Sequence, residues 1–122
     1  MGLTKTEILN RTAQDSFRII YSASKSVDTK DGGSAFALRV AMASITMGEN
    51  VYQAVQALND SERYAFLNTA LKACHEIEYY APLIFQMEKK LSNVQVERIL
   101  TESKKVRTVI MKHIDELNFI TR

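Results

Sequence analysis

The side chains that could most readily act in catalysis or bind a metal ion lie together, from Cys74 to Glu78. Cys74 is the single cysteine of the chain, and His75, Glu76 and Glu78 follow it. A zinc helix of the H-E-x-x-H kind needs a second histidine four residues after the first, so that both imidazoles reach one metal ion. Tyr79 stands at that position instead. The pattern therefore predicts an ordinary helix surface rather than a metal site.

A distant second histidine, His113, leaves one alternative open, in which it joins His75 and Glu78 around a metal ion. Cys74 lies on an apolar stripe next to acidic residues, which would raise the pKa of a thiol rather than activate it. We therefore predict a buried, unreactive thiol. The sequence contains neither a glycine-rich phosphate loop nor a serine elbow, and we expect no enzymatic activity, no metal, no cofactor and no small-molecule substrate.

Basic residues in the last third of the chain are the remaining candidates. Nucleic-acid binding needs several Lys or Arg side chains on one face. Lys104 and Arg107 are three residues apart, and Lys105 and Lys112 are seven apart, which on a helix predicts two short basic strips. Acidic residues share this segment, so a solvated face is the alternative. The predicted nucleic-acid-binding residues are Lys89, Lys90, Arg98, Lys104, Lys105, Arg107 and Lys112.

The overall composition favours a small helical protein. The chain has 122 residues, four Gly, one Pro and a net charge of +2. This length predicts a single domain over residues 1–122, and the net charge neither requires nor excludes nucleic acid. A single cysteine suits a reducing compartment, and the N-terminal stretch MGLTKTEILNRTAQDS is too polar for a signal peptide. We expect a cytoplasmic protein that does not cross a membrane.

A capping box predicts the start of the first helix, because Thr4 and Glu7 are spaced to satisfy each other's free backbone N–H groups. Apolar residues then recur at spacings of four, four and three, which is one helix face: Leu9, Ala13, Phe17 and Ile20. The segment VDTKDGG, residues 27–33, ends this helix because Asp-Gly-Gly favours positive φ.

The second predicted helix, residues 34–57, is apolar on nearly every side. The stretch from Gly32 to Gly48, GGSAFALRVAMASITMG, which includes the first part of this helix, has one charged residue, Arg39. A surface helix normally has a polar face, so we expect the helix to be covered by its own bundle and by another copy of the chain. A bulky stripe contains Leu38, Met42 and Ile45. A stripe of small residues should let another helix approach closely, unless Gly48 is merely tolerated, and it comprises Ala37, Ala41, Ser44 and Gly48. The predicted oligomer interface comprises Phe36, Ala37, Val40, Ala41, Ser44, Met47 and Gly48.

Two further helices complete the prediction. The turn LNDS, residues 58–61, precedes a long apolar face in which Pro82 either kinks the helix or splits it in two near Tyr80. In the last helix, apolar residues alternate spacings of three and four from Val96 to Leu117, which is a heptad seam. Short turns join the last three helices, so the prediction is an all-α, antiparallel up-down four-helix bundle.

The junction of the second and third helices resembles a known family. Residues 46–54, TMGENVYQA, resemble the S-I-G-x-N-(I/V)-x-E-(A/G) signature of bacterial four-helix bundle proteins first found encoded in intervening sequences of large-subunit ribosomal RNA genes. Residues 70–80 resemble the A-x-K-x-x-x-E-x-x-Y-(W/L) segment that follows it. The chain departs from the signature at Thr46, which keeps the hydroxyl of the family's Ser, and at Met47 and Gln53, and the segment before its second helix is longer. The matching motif positions are Thr46, Gly48, Asn50 and Ala54.

The accessory variability proteins of diversity-generating retroelements share this fold. The resemblance implies a homopentamer that binds a reverse transcriptase and nucleic acid, and it supplies no catalytic residue. Our first hypothesis is therefore a non-enzymatic homo-oligomer that binds RNA, DNA or a nucleoprotein partner. The alternative is a structural or regulatory scaffold without a nucleic-acid role, as in the intervening-sequence branch, whose biochemical role is not settled.

Overall fold

Four α-helices form the computed structural model, which describes residues 2–27 and 33–117. They are α1 (Lys5–Lys25), α2 (Ala35–Gln56), α3 (Asp60–Gln86) and α4 (Asn93–Asp115). The predicted all-α four-helix bundle is confirmed. Most of the predicted break at 27–33 lies outside the described residues.

Side-chain caps fix where the helices begin. The predicted capping box is present, because the Glu7 amide donates to the Thr4 hydroxyl at 3.1 Å while the Thr4 amide donates to the Glu7 carboxylate at 2.7 Å. Ser92 and Gln95 form the same arrangement at the start of α4. Ser34 and Asn59 cap α2 and α3. Such caps satisfy N–H groups that have no partner within the helix.

Each helix packs against two neighbours, in the order α1, α2, α3, α4 and back to α1. The diagonal pairs, α1 with α3 and α2 with α4, make no contact within the described residues. The core between the helices is apolar, and fully buried side chains from all four helices include Leu9, Ile20, Met47, Leu67, Ile77, Ile84, Ile99 and Ile110. The outer faces of α2 and α4 therefore lie on opposite corners of the bundle.

Pro82 lies inside α3, which continues to Gln86. The alternative of two helices divided near Tyr80 is therefore wrong. The turn after α3 contains Lys89, whose φ of 55° is in the left-handed region. The predicted seam of α4 is buried at Val96, Ile99, Ser103, Val106 and Ile110, which confirms its inward face.

The small residues of α2, which were predicted to meet another copy of the chain, face the interior of their own bundle. Ala37, Val40, Ala41, Ser44, Met47 and Gly48 are all buried inside the bundle of one chain. Phe36 is partly buried, and its ring stacks on Tyr80 at a centroid distance of 6.1 Å. The predicted oligomer interface at the buried positions is wrong, because side chains enclosed by α1 and α3 of the same chain cannot meet another folded copy.

The bulky stripe of α2 faces outward instead. Leu38, Met42, Ile45 and Tyr52 are 51%, 57%, 44% and 51% exposed. Small residues allow α1 and α3 to approach α2 closely, which explains why the small stripe is the inward one. No helix in residues 2–27 and 33–117 is both long enough and apolar enough to span a membrane.

Candidate functional site

A groove between α1 and α4 runs along one face of the bundle. Three depressions follow one another along it, with volumes of about 150, 590 and 530 Å³. The first lies between Lys5 and Lys112, and the last lies between Arg18 and Arg98. Because α1 and α4 run in opposite directions, the end of one helix meets the beginning of the other along the groove.

One wall of this groove is a straight line of cations on α4. Arg98, Lys105 and Lys112 are exposed and recur every seven residues. Seven residues of α-helix rise about 10.5 Å and bring side chains back to nearly the same face. Thr101 and Thr108 lie between the cations on the same wall and are also exposed. The line therefore alternates positive charge with hydroxyl donors over about 21 Å.

The opposite wall, on α1, contributes Lys5 and Arg18, neither of which the sequence analysis identified. The Lys5 ammonium donates to the Glu116 carboxylate at 2.9 Å, and this bond lowers the pKa of Glu116. Arg18 pairs with Asp15 at 3.2 Å. Both pairs are exposed, so their net contribution to stability is small. The cations that line the groove outnumber its carboxylates.

A buried carboxylate joins the two helices of the groove. Glu102 is 8% exposed and accepts a hydrogen bond from the Ser16 hydroxyl at 2.9 Å and another from the Lys105 ammonium at 3.0 Å. These bonds tie α4 to α1 and hold Lys105 at the groove surface. Arg98, Lys104 and Lys112 make no hydrogen bond or ion pair with other described residues. Their positive charges are therefore open to an external anion.

Arg107, another predicted nucleic-acid contact, does not line this groove and is engaged with α3 instead. Its Nε donates to the Glu78 carboxylate at 3.1 Å, with the two side chains only 29% and 19% exposed. The Ser103 hydroxyl donates to the same oxygen at 2.9 Å. Arg107 therefore joins α4 to α3, and the predicted strip of Lys104 with Arg107 does not form.

The remaining predicted cations occupy two places. Lys104 lines the groove beside Lys105 and Thr108. Lys89 and Lys90 lie beyond the end of α3, in the turn before α4, where the Lys90 ammonium donates to the Gly33 carbonyl. Lys89 is exposed. The heptad spacing of Arg98, Lys105 and Lys112 was the sequence signal for the groove, and only its last pair was recognised.

The candidate nucleophile and metal ligands are not brought into one site. Cys74 is fully buried, and burial raises the pKa of its thiol to about 12. His75 is exposed on α3. His113 is half-buried near the end of α4, and desolvation lowers its pKa. Among the described residues, no three His, Cys, Asp or Glu side chains are grouped as metal ligands would be.

The residues of the family-like motif have structural roles in α2. The Gly48 carbonyl accepts a hydrogen bond from the Gln14 side chain at 2.9 Å, which ties α2 to α1. The Asn50 side chain donates to the Thr46 carbonyl at 2.8 Å. The Ala54 carbonyl accepts from the Arg63 Nε at 3.1 Å and so closes the turn to α3. The motif therefore describes how the helices pack rather than a reactive site.

Comparisons with known proteins support the fold. No family model matches the chain, and no curated protein matches its sequence. A similar solved structure is a protein of unknown function from the S23 ribosomal protein family of Bacteroides thetaiotaomicron, which is 20% identical with a TM-score of 0.83. The match covers 92% of this chain and 99% of that chain. At this identity the likeness shows a shared four-helix fold.

Proposed function

We propose that this protein is a non-enzymatic nucleic-acid-binding protein and that the α1–α4 groove contacts phosphates. The observation that carries the proposal is the line of Arg98, Lys105 and Lys112 along one wall of the groove. Positive side chains on a rigid face displace the counterions that surround nucleic acid, which is the main source of sequence-independent affinity. Contacts of this kind carry no base information, so sequence selection would come from a partner protein.

We further propose that the protein is a homo-oligomer and that the exposed α2 strip, Leu38, Met42, Ile45 and Tyr52, is covered by a second copy. Glu49 lies on the same face, and Arg39 borders it, with its guanidinium 5.3 Å from the centre of the Tyr80 ring. One charge of each sign leaves the strip without net charge. It therefore suits an apolar, neutral partner better than phosphate, and another copy of the chain presents the same surface.

Assembly through α2 would leave the groove open, because α2 and α4 are diagonal helices that do not touch. Each added copy would then contribute one more line of cations to the same polyanion. Linked binding sites raise overall affinity without any new contact. A weak groove on one chain would become an effective nucleic-acid surface on an assembly.

Groove binding is tested by a matched pair of double variants. Arg98→Gln with Lys112→Gln removes one Arg and one Lys from the groove, whereas Arg11→Gln with Lys72→Gln removes the same charges from exposed positions elsewhere. Titration of a labelled nucleic acid at several salt concentrations gives the affinity and its salt slope. For each groove engaged, the first variant should lower the slope by about 1.8 and the affinity at 0.1 M salt by about 60-fold. Equal losses in both variants, or no binding by the wild type, would refute the proposal.

Self-association is tested at a single position of the strip. Met42→Lys places a charge in the strip, and Met87→Lys makes the same change at a side chain that is 68% exposed beyond the end of α3. Light scattering should show a multiple of 13.8 kDa for the wild type and for Met87→Lys. Met42→Lys should shift towards a single chain. A wild type of one chain at micromolar concentration contradicts the proposal.

A scaffold without a nucleic-acid role is the second candidate, and the α2 strip is the observation that favours it. The strip explains assembly without any polyanion. The S23 neighbour has a name that associates it with ribosomal proteins, yet its function is unknown, so it is compatible with either candidate. Assembly by the wild type together with failure to bind nucleic acid at low salt would decide for the scaffold.

A further inference from the structure

We infer that the α1–α4 groove is shaped for double-stranded rather than single-stranded nucleic acid. The inference rests on the proposed function and concerns the same cations. Single-strand binders combine a positive groove with aromatic side chains on which bases stack, and such stacking supplies much of their affinity. A groove that contacts only backbone should favour the stiffer and more densely charged duplex.

Phe, Tyr and Trp are absent from the described lining of the groove, where the one aromatic ring is the imidazole of His113 at the first depression. The sequence of α4 contains no Phe, Tyr or Trp. On α1, Phe17 lies beside Gly48 of α2, and its ring is 5.5 Å from that of Tyr21. These two aromatic residues of α1 are therefore associated with the α2 side. Bases splayed out of a single strand would meet mainly aliphatic and hydroxyl groups along the described groove, with the one His113 imidazole at its end in place of a series of stacking rings.

The rigidity of the cation line supplies the second argument. Arg98 and Lys112 are on the same helix as Lys105, which is linked through Glu102 to Ser16 of α1. The backbone of α4 therefore fixes the Cα atoms of these three residues at successive intervals of about 10.5 Å. A duplex presents its phosphates in an equally fixed array. A single strand would have to be straightened to match the line, and that ordering opposes binding.

Counterion release acts in the same direction. Each phosphate contact contributes about 0.9 to the salt slope for duplex DNA but about 0.7 for a single strand. Arg98, Lys104 and Lys112 offer three cations that make no hydrogen bond or ion pair with other described residues, although the charge of Lys112 also acts on Glu116. Three such contacts alone give the duplex about a four-fold advantage at 0.1 M salt. The hydroxyls of Thr101 and Thr108 can donate to phosphates of DNA and RNA alike.

The experiment compares four labelled probes of one length with the unaltered protein: duplex DNA, duplex RNA, and a single strand of each that cannot pair with itself. At least one of the two duplexes should bind more tightly than its single strand, with a difference of about four-fold or more at 0.1 M salt for DNA. The single strands should bind alike whether they are rich in purines or in pyrimidines. The Arg98→Gln, Lys112→Gln variant should reduce the difference between duplex and single strand, while the Arg11→Gln, Lys72→Gln control keeps it.

Equal or tighter binding of the single strands would overturn this inference and leave the proposed function intact. A preference for one base composition among single strands would also overturn it, because it would indicate stacking or base contacts. A duplex preference confined to RNA or to DNA would support the inference and identify the source of the duplex. Failure of all four probes to bind would overturn the proposed function together with the inference.

Discussion

Replacing Arg107 by Gln should destabilise the protein without weakening its nucleic-acid binding. The guanidinium lies 3.1 Å from the Glu78 carboxylate, and the two side chains are 29% and 19% exposed. Removing it leaves Glu78 with the Ser103 hydroxyl, 2.9 Å away, in a partly buried setting. Loss of a charged hydrogen-bond partner at such a site costs about 1–3 kcal/mol. The pair is not fully enclosed, so the larger cost of breaking a buried ion pair does not apply.

Lys104→Gln provides the opposite case on the same helix. Lys104 is exposed and lines the groove, so its removal should change the free energy of unfolding by less than about 0.5 kcal/mol. Its loss should lower the salt slope of duplex binding by about 0.9 for each groove engaged. Urea denaturation followed by circular dichroism gives the stability, and probe titration gives the slope.

The two variants should therefore show crossed effects. Arg107→Gln should lower the urea midpoint and keep the wild-type salt slope, while Lys104→Gln should do the reverse. Arg107→Gln combined with Glu78→Gln should recover part of the lost stability, because no carboxylate is then left without its cation. A folded Arg107→Gln protein with wild-type stability and a reduced slope would show that Arg107 contacts phosphate, and the assignment of the groove would be wrong.

Three further predictions concern the interior. Gly48→Ala should raise the free energy of unfolding in urea by up to about 1 kcal/mol, because an added Cβ would lie at an ordinary contact distance of 3.4–3.6 Å from Gln14 and Phe17. A large decrease in that free energy would show that the helices tolerate no methyl group there. The Cys74 thiol, with its pKa raised to about 12 by burial, should react with a disulfide reagent only as fast as the protein opens, and immediate labelling of the native protein would contradict its burial. Burial lowers the pKa of His113 from 6.5, so the folded state binds fewer protons than the unfolded state, and stability should fall as the pH drops below about 6.5. In urea denaturation His113→Gln should reduce this loss, and an unchanged pH dependence would contradict the assignment.

The sequence determined much of the fold because its local signals agree with one another. The capping box at Thr4, the LNDS turn before α3 and the heptad seam of α4 each rely on contacts within a few residues. Such contacts can be read from spacing alone. Pro82 was the ambiguous position, since packing against α2 and α4, rather than local preference, determines whether a helix continues through a proline.

The faces of α2 could not be assigned from the sequence. Periodicity shows that Leu38 and Met42 share one face and that Ala37 and Ala41 share another, but both faces are apolar. Which one points inward depends on how closely α1 and α3 approach, and that distance is a property of the assembled bundle. The result is an inward face of small residues and an outward face of bulky ones.

The groove was only partly predictable for a similar reason. Lys104 and Arg107 are close on a helix surface, yet the boundary between solvent and α3 passes between them. Arg107 donates a hydrogen bond to Glu78, which lies 29 residues away in the sequence. Lys5 and Arg18 enter the site from the far end of the chain, so no spacing within α4 could have indicated them.

The pairing of α1 with α4 has a consequence for how the protein is made. Its contacts join the most distant parts of the described chain: Ser16 and Glu102 are 86 residues apart, and Lys5 and Glu116 are 111 apart. Contacts of such long separation have a high loop-closure cost and form late in folding. During synthesis, the groove cannot form until α4 has left the ribosome, because α4 is the last helix to be made and supplies one wall. A growing chain therefore has no groove with which to capture nucleic acid, and a polyanion bound across both helices would favour the completed fold over every shorter or partly open form.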